Sequence, residues 1–198
     1  MVTVAAQVMG KQELRDEIIQ AALKLVTEKG YFNTSIADIC KQADVSTGTI
    51  YHYFKTKESI VDALFQEVLQ NLSDSIEEIT AKSNHTFERL RAIAELFFAL
   101  TEEAPEVMRF MVCVRHQEFL CDRPPLSLAK PFQQLTWIMQ EGIKAGDIRR
   151  MDPAVASACF YGTIVQMVQM RLDGALDRPL NWYLLDTWTA IWRMLSPP

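Results

Sequence analysis

Residues 35–57 read SIADICKQADVSTGTIYHYFKTK, and three helix starts fall within them. Ser35 followed three residues later by Asp38 is a capping-box-like start for a short helix with Ile36, Ile39 and Cys40 as its buried side. That helix stops near Ala43 and Asp44. Ser46 is a second good N-cap, opening a helix from Thr47 to about Tyr53, and Thr56 opens a third, long one running towards Thr80. Two short helices joined by about three residues form a helix-turn-helix, whose second helix can enter a DNA major groove.

Features of the second helix make little sense as ordinary packing. Gly48 sits in its first turn, where glycine costs about 1 kcal/mol relative to alanine; a close approach by DNA backbone would explain that cost. Around it stand Ser46, Thr47 and Thr49, short hydroxyl donors able to reach phosphates or base edges. The plainer reading of each hydroxyl is a helix cap or a solvated side chain. Ile50 faces the other way, into the core with Phe54. Tyr51, His52 and Tyr53 are consecutive on a helix barely two turns long, so they cannot all be buried on one side. Tyrosine and histidine side chains can bond phosphates or base edges, although Tyr53 could instead pack against the long helix. Lys55 and Lys57 flank the start of that helix, whose free amides also favour a phosphate.

Outward from this stretch the helical pattern continues in both directions. The first ten residues lack helical periodicity and read as a frayed lead. From Lys11 to Lys29, Leu14, Ile18, Ala21, Ala22 and Leu25 recur on one face, and Gly30 ends the helix. Downstream, helices are predicted over Thr86–Glu103, Pro105–Leu120, Ser127–Ala145, Pro153–Leu172 and Leu180–Leu195, with Asp152 placed to cap the one that Pro153 begins. No alternating strand signal competes. The fold class is all-α with about nine helices: a DNA-binding domain over 1–57 and a helical ligand-binding and dimerisation domain over 58–198.

Composition agrees with a folded protein: of 198 residues 49 % are hydrophobic and 23 % charged. The net charge of −5 looks wrong for a nucleic-acid binder until the chain is divided. Residues 1–57 carry seven Lys and Arg against six Asp and Glu, so the whole deficit lies behind the helix-turn-helix. Cys40, Cys113, Cys121 and Cys159 lie far apart in mostly apolar segments and read as buried, reduced thiols. Without an apolar run of the roughly 18 residues that a membrane span needs, or a signal-peptide pattern, the expected location is the cytoplasm and no membrane partner is expected.

Enzymatic chemistry finds little support. None of His52, His85 or His116 has a glutamate three residues before it, as a di-iron bundle would require, and no Gly-rich phosphate loop or nucleophile elbow appears. A helical-bundle enzyme is therefore the weaker alternative, and no cofactor is expected. A second alternative keeps the fold and acts through protein partners without a small-molecule effector.

Gly30, Tyr31, Phe32, Ser35, Ile36, Ile39, Val45, Ser46, Gly48, Thr49, Ile50, Tyr51, Tyr53, Phe54, Lys55, Lys57 and Glu58 resemble the signature of the TetR family of transcription regulators, over about the first 65 residues. The resemblance implies that Ser46, Thr47, Thr49, Tyr51, His52, Tyr53 and Lys57 contact DNA, with Thr34 or Ser35 reaching a phosphate; Gly48 and Lys55 complete the candidate surface. Two positions depart from the family pattern. Asp44 stands where a glycine is common, and aspartate tolerates the left-handed conformation better than most side chains. Thr47 stands where a basic residue or proline is common, which leaves the operator sequence open.

For the rest of the chain the resemblance implies a regulatory bundle that dimerises through its last two helices and encloses an effector pocket. It further implies a homodimeric repressor on a palindromic operator, released when an effector favours a state in which the long fourth helix has moved the recognition helices apart. Ala154, Ala156, Ala158, Gly162 and Ile164 offer small residues for the dimer contact, and Trp182, Leu185, Trp188, Ile191 and Trp192 an apolar face. Met108, Phe110, Met111, Cys113 and Phe119, with Trp137, Met139, Phe160, Met167 and Met170 from later helices, are soft and aromatic side chains suited to an adaptable pocket for a small, largely apolar effector, or to a filled core. Arg115 and His116 in the sixth helix and Arg171 in the eighth could orient a polar group, or pair with Glu118 or Asp173. Cys113 and His116 are three apart, with Cys121 further on, but a tetrahedral metal set would have to be assembled across helices or subunits; no metal site is expected.

Overall fold

The computed structural model describes residues 2–198, with side chains described from Gln12 onwards. Among the described residues there are nine α-helices and no strand: α1 (Val2–Lys29), α2 (Ile36–Ala43), α3 (Thr47–Tyr53), α4 (Lys57–Lys82), α5 (Thr86–Glu103), α6 (Pro105–Cys113), α7 (Lys130–Ala145), α8 (Pro153–Leu172) and α9 (Leu180–Leu195). Two short 3₁₀ turns, His116–Glu118 and Leu126–Leu128, lie between α6 and α7.

The chain packs as two units. The first comprises residues 1–68 together with 114–123; the second comprises 69–113 and 124–198. In the first, α1 packs on α2 and α2 on α3. Ile18, Ile19, Ala22 and Val26 of α1 are buried in its core, as are Ile39, Ile50 and Ile60 of α2, α3 and α4. Gly30 takes φ +83°, the left-handed conformation that ends α1 and turns the chain towards α2. In the second unit α5 packs against α6, α7, α8 and α9, and α8 against α6, α7 and α9. Leu90, Ile93, Phe98, Phe110, Met139, Phe160 and Ile164 fill the interior. Gly142 lets α7 come close to α5: a Cβ there would stand 2.6 Å from Thr86 Cγ2, nearer than packed carbons come. Arg149 caps the far end of α9, its backbone N–H donating to Leu195 O and its guanidinium to Ser196 O and Arg193 O.

Four sequence-based expectations change. The helix expected from Lys11 begins at Val2, so the lead is helical; lack of an apolar stripe is no bar to helix in a segment where Ala5, Ala6, Gln7 and Met9 favour it. The helix expected over Pro105–Leu120 stops at Cys113, and Arg115 and His116 lie beyond it. Helix α7 begins at Lys130, after the 3₁₀ turn Leu126–Leu128. Cys113 and Cys121 are exposed, while Cys40 and Cys159 are half-buried; all four are free thiols.

Candidate nucleic-acid interface

The helix-turn-helix is set by its caps. Ser35 Oγ accepts from the Asp38 backbone N–H at 3.1 Å, and Asp38 Oδ2 accepts from the Ser35 backbone N–H at 2.9 Å, closing the reciprocal box. The hydrogen bonds from Ser35 also hold the Asp38 carboxyl below its ordinary pKa. Asp44 ends α2 in the left-handed conformation, φ 52° and ψ 43°. Ser46 caps α3 by accepting from the Thr49 N–H at 3.0 Å. Ile50 and Phe54 then anchor α3 in the core with 0 % and 6 % exposure.

The opposite face of α3 is free. Ser46, Thr47, Gly48, Tyr51 and His52 are exposed, Thr49 and Tyr53 half-buried, and Lys55 exposed just beyond. Tyr51 shows 56 % of its surface, a large fraction for a ring in a folded unit. His52 stands edge-on to Tyr53 with centroids 5.1 Å apart. At Gly48 a Cβ would meet only Ser46 Oγ, at an ordinary 3.7 Å. Nothing inside the protein calls for the missing side chain, so the helix penalty of glycine points to an outside neighbour.

Two of the residues expected to contact DNA are held inside the unit. Thr34 is 1 % exposed and its Oγ1 donates to Gly30 O at 2.9 Å. Lys57 Nζ donates to Tyr31 O at 2.9 Å and Thr34 O at 2.8 Å and lies 4.0 Å from the centre of the Tyr31 ring. Lysine and threonine here brace the turn before α2, and Ser35 is exposed as the cap. Tyr31 completes the brace by donating its hydroxyl to Glu58 Oε1 at 2.5 Å. Burial and the Glu58 bond raise the phenol's pKa, and the same bond lowers that of Glu58.

The segment 114–123, which follows α6 in the chain, packs within this same unit. Phe119 stacks on Tyr31 with centroids 4.0 Å apart and planes 12° from parallel. His116 is 8 % exposed and its ring lies 4.7 Å from that of Phe65 in α4. Arg123 grips Asp62 of α4 with both arms of its guanidinium, at 2.7 and 2.5 Å. Arg115, by contrast, is exposed and pairs with its neighbour Glu118. Sequence reasoning missed this strap because an unbroken helical pattern ran through it; Phe119, Tyr31 and Asp62 carried no local sign of meeting.

In the second unit Met108, Met111, Met139 and Phe160 are buried, Met167 is half-buried and Cys113 is exposed. Trp137 is 46 % exposed, with the Arg89 guanidinium 5.8 Å from its ring centre. Arg171 is committed elsewhere. Its guanidinium forks onto Glu102 at 2.9 and 3.0 Å and donates to Leu176 O, so its partner is Glu102 of α5 and not Asp173. Glu102 also accepts from the Leu180 N–H, tying α5 to the start of α9. The expected effector set is thereby split, because Arg115, His116 and Phe119 fall in the first unit. Among the described residues no three His, Cys, Asp or Glu side chains converge as a metal site would need, and no helix is long and apolar enough to cross a membrane.

A helix-turn-helix with an outward hydroxyl and aromatic face, followed by an all-helical unit, defines a DNA-binding transcription regulator. Residues 18–64 match the profile of bacterial regulatory proteins of the tetR family, and residues 65–192 that of the tetracyclin repressor-like C-terminal domain. The chain belongs to the TetR family. It is 31 % identical over 155 residues to the fatty acid metabolism regulator protein of Bacillus subtilis (strain 168), an alignment covering 77 % of this chain and 80 % of that one. Among solved structures, a TetR family regulator from Marinobacter aquaeolei VT8 shares the fold over 96 % of this chain and 99 % of its own, with a TM-score of 0.80 at 20 % identity. The regulator FadR from Bacillus subtilis, solved in complex with stearoyl-CoA, gives a TM-score of 0.73 at 26 % identity over 90 % of this chain and 97 % of its own. These relatives are regulators, not enzymes.

Proposed function

We propose that the protein is a homodimeric repressor that binds a palindromic operator in the cytoplasm and releases it when an acyl-CoA-type effector occupies its second unit. The observation that carries the DNA-reading half is the exposed face of α3. Ser46, Thr47, Thr49, Tyr51, His52 and Tyr53 read or position on the major groove, Gly48 lets the backbone approach, and Ser35 and Lys55 meet phosphates. Thr34 and Lys57 act one step behind, holding the turn that presents them.

The effector half is supported by the relative solved with stearoyl-CoA and by an interior of Met108, Met111, Met139 and Phe160, soft enough to repack around an acyl chain. Release follows a two-state scheme in which the effector favours a dimer whose fourth helices have carried the recognition helices off operator spacing. Moving occupancy from mostly bound to mostly free takes several kcal/mol of differential affinity, within reach of a buried acyl chain at about 0.8 kcal/mol per methylene.

The test is binding of the purified protein to the DNA upstream of its own gene, followed across salt and then with added stearoyl-CoA. Tight, salt-sensitive binding that the acyl-CoA releases is the expected result. Binding that no acyl-CoA disturbs would remove the effector class and leave the DNA-binding role standing.

A further inference from the structure

Helix α4 carries a hydroxyl that the fold does not use. Its neighbours on the helix do what such residues ordinarily do: Ser75 Oγ donates to Asn71 O at 2.9 Å and Thr80 Oγ1 to Ile76 O at 2.8 Å. Ser73 makes no such back-bond. It lies on the buried face with Leu69, Leu72 and Ile76, is 1 % exposed, and its Oγ finds no hydrogen-bond partner among the described residues. Buried hydroxyls are nearly always paired, so one left over on an apolar helix face calls for a reason.

A second orphan lies beside it. Gln134 of α7 donates through Nε2 to Ser73 O at 3.3 Å and to Glu77 Oε1 at 3.1 Å. Those two bonds use both amide protons and fix which way the planar group points. Its Oε1 is turned to the other side, buried and also without a partner among the described residues. One donor-capable hydroxyl and one obligate acceptor thus belong to two residues that a hydrogen bond joins, where α4 and α7 meet inside the second unit.

The pair specifies what it can take. Gln134 Oε1 can only accept, so the guest must bring an N–H or O–H; the Ser73 hydroxyl can donate as well as accept, so it suits a guest that also brings an acceptor. The charged groups nearby argue against an anion. Glu77 is negative, and the adjacent cation Lys130 is paired with it at 2.8 Å, with Asp74 adding a further negative field at Lys130. A fatty carboxylate would gain one hydrogen bond from Ser73 and face the Gln134 carbonyl dipole. A secondary amide satisfies both orphans at once, and acyl-CoA carries such amides in the arm next to its thioester.

We infer that Ser73 and Gln134 form the polar recognition point of the effector site, reading a neutral amide in the arm of an acyl thioester and discriminating against the free fatty acid. This rests on the acyl-CoA reading of the effector proposed above. Removing the Ser73 hydroxyl should weaken the bound state alone, because among the described residues nothing pairs with it.

The experiment measures the affinity of the full-length protein and of Ser73→Ala for stearoyl-CoA and for stearate below their micellar concentrations, with the melting temperature of each ligand-free protein. The expected result is a wild type that prefers stearoyl-CoA, and a variant that binds it roughly tenfold more weakly, as one buried hydrogen bond is worth. Stearate affinity and ligand-free melting temperature should be unchanged, or the latter slightly raised. Equal stearoyl-CoA affinity in the two proteins would overturn the assignment while leaving the effector class intact. A lowered melting temperature with both affinities reduced alike would overturn it in favour of a packing role. A wild type that binds neither compound would overturn the effector reading and this site together.

Discussion

Tyr51 concentrates the argument at the scale of single residues. It is 56 % exposed on a helix whose inner face is closed by Ile50 and Phe54, so its ring contributes nothing to the core that would justify exposing it. Tyr51→Ala should therefore leave the melting temperature within about 1 °C and cost operator affinity of about 1–3 kcal/mol, roughly five- to 150-fold, in a titration at fixed salt. A variant that binds the operator as tightly as the wild type would remove Tyr51 from the interface. Asp44 makes the opposite kind of prediction, one about stability. At φ 52° and ψ 43° an aspartate is tolerated where glycine is at ease. Asp44→Gly should raise the stability of the first unit by about 0.5–1 kcal/mol in a denaturant titration, with operator binding unchanged. A destabilised variant would mean that the Asp44 side chain contributes something the backbone argument omits.

Elements show where a sequence speaks and where it falls silent. Every cap-defined boundary was legible: the Ser35–Asp38 box, the Ser46 cap, the Gly30 and Asp44 left-handed stops and the Asp152 cap on α8 are local chemistry, written in adjacent residues. The exposed face of α3 was legible for the same reason. The end of α6 was not, because the apolar spacing continues to Leu120 while the ring partners of His116 and Phe119 come from α4 and from the turn at Tyr31, more than fifty residues earlier. Arg171 illustrates the same limit, since Glu102 lies 69 residues away. The strap also gives a pH signature. His116 is buried between the rings of Phe65 and Phe119, and burial pushes its pKa down to about 4. Below pH 6.5 the unfolded chain takes up a proton that the folded one refuses, so stability is present above that value and falls as pH drops from about 6.5 to about 4. The loss is at most about 3 kcal/mol at 1.36 kcal/mol per pKa unit. His116→Leu should flatten this stretch of the pH–stability curve in thermal melts, leaving the fall at lower pH, where carboxylates held below their ordinary pKa, such as Asp38 and Glu58, take up protons. Parallel curves for the two proteins would show that His116 keeps its charge in the fold.

At the scale of the whole molecule, the decisive surface is one that a single chain leaves uncovered. Several residues first read as dimer contacts are core instead: Ala156, Ile164 and Ile191 are fully buried and Trp188 is 5 % exposed. What remains open is more telling. On α8, Val155, Ala158, Gly162 and Gln166 recur at three- and four-residue spacing and are exposed, and a Cβ on Gly162 would meet nothing. On α9, which packs beside α8, Trp182 is 65 %, Leu185 73 % and Met194 38 % exposed. The Arg178 guanidinium lies 3.9 Å from the Trp182 ring centre, and Trp192 stacks on Trp188 nearby. Large apolar side chains gathered on two adjacent helices are costly to leave in water and mark an interaction face; under the proposed homodimer, a second copy of the same face would cover it and give the two-fold arrangement that a palindrome requires. Leu185→Arg puts a charge at the most exposed apolar position of that face without touching the core. The variant should keep its helical circular dichroism and sediment as a monomer at concentrations where the wild type sediments as a dimer. Because two half-sites bound together multiply affinity through effective concentration, operator binding should fall more than a hundredfold, although every residue of α3 is intact. A dimeric variant would place the interface elsewhere, and a monomer that binds the operator undiminished would show that one recognition helix suffices.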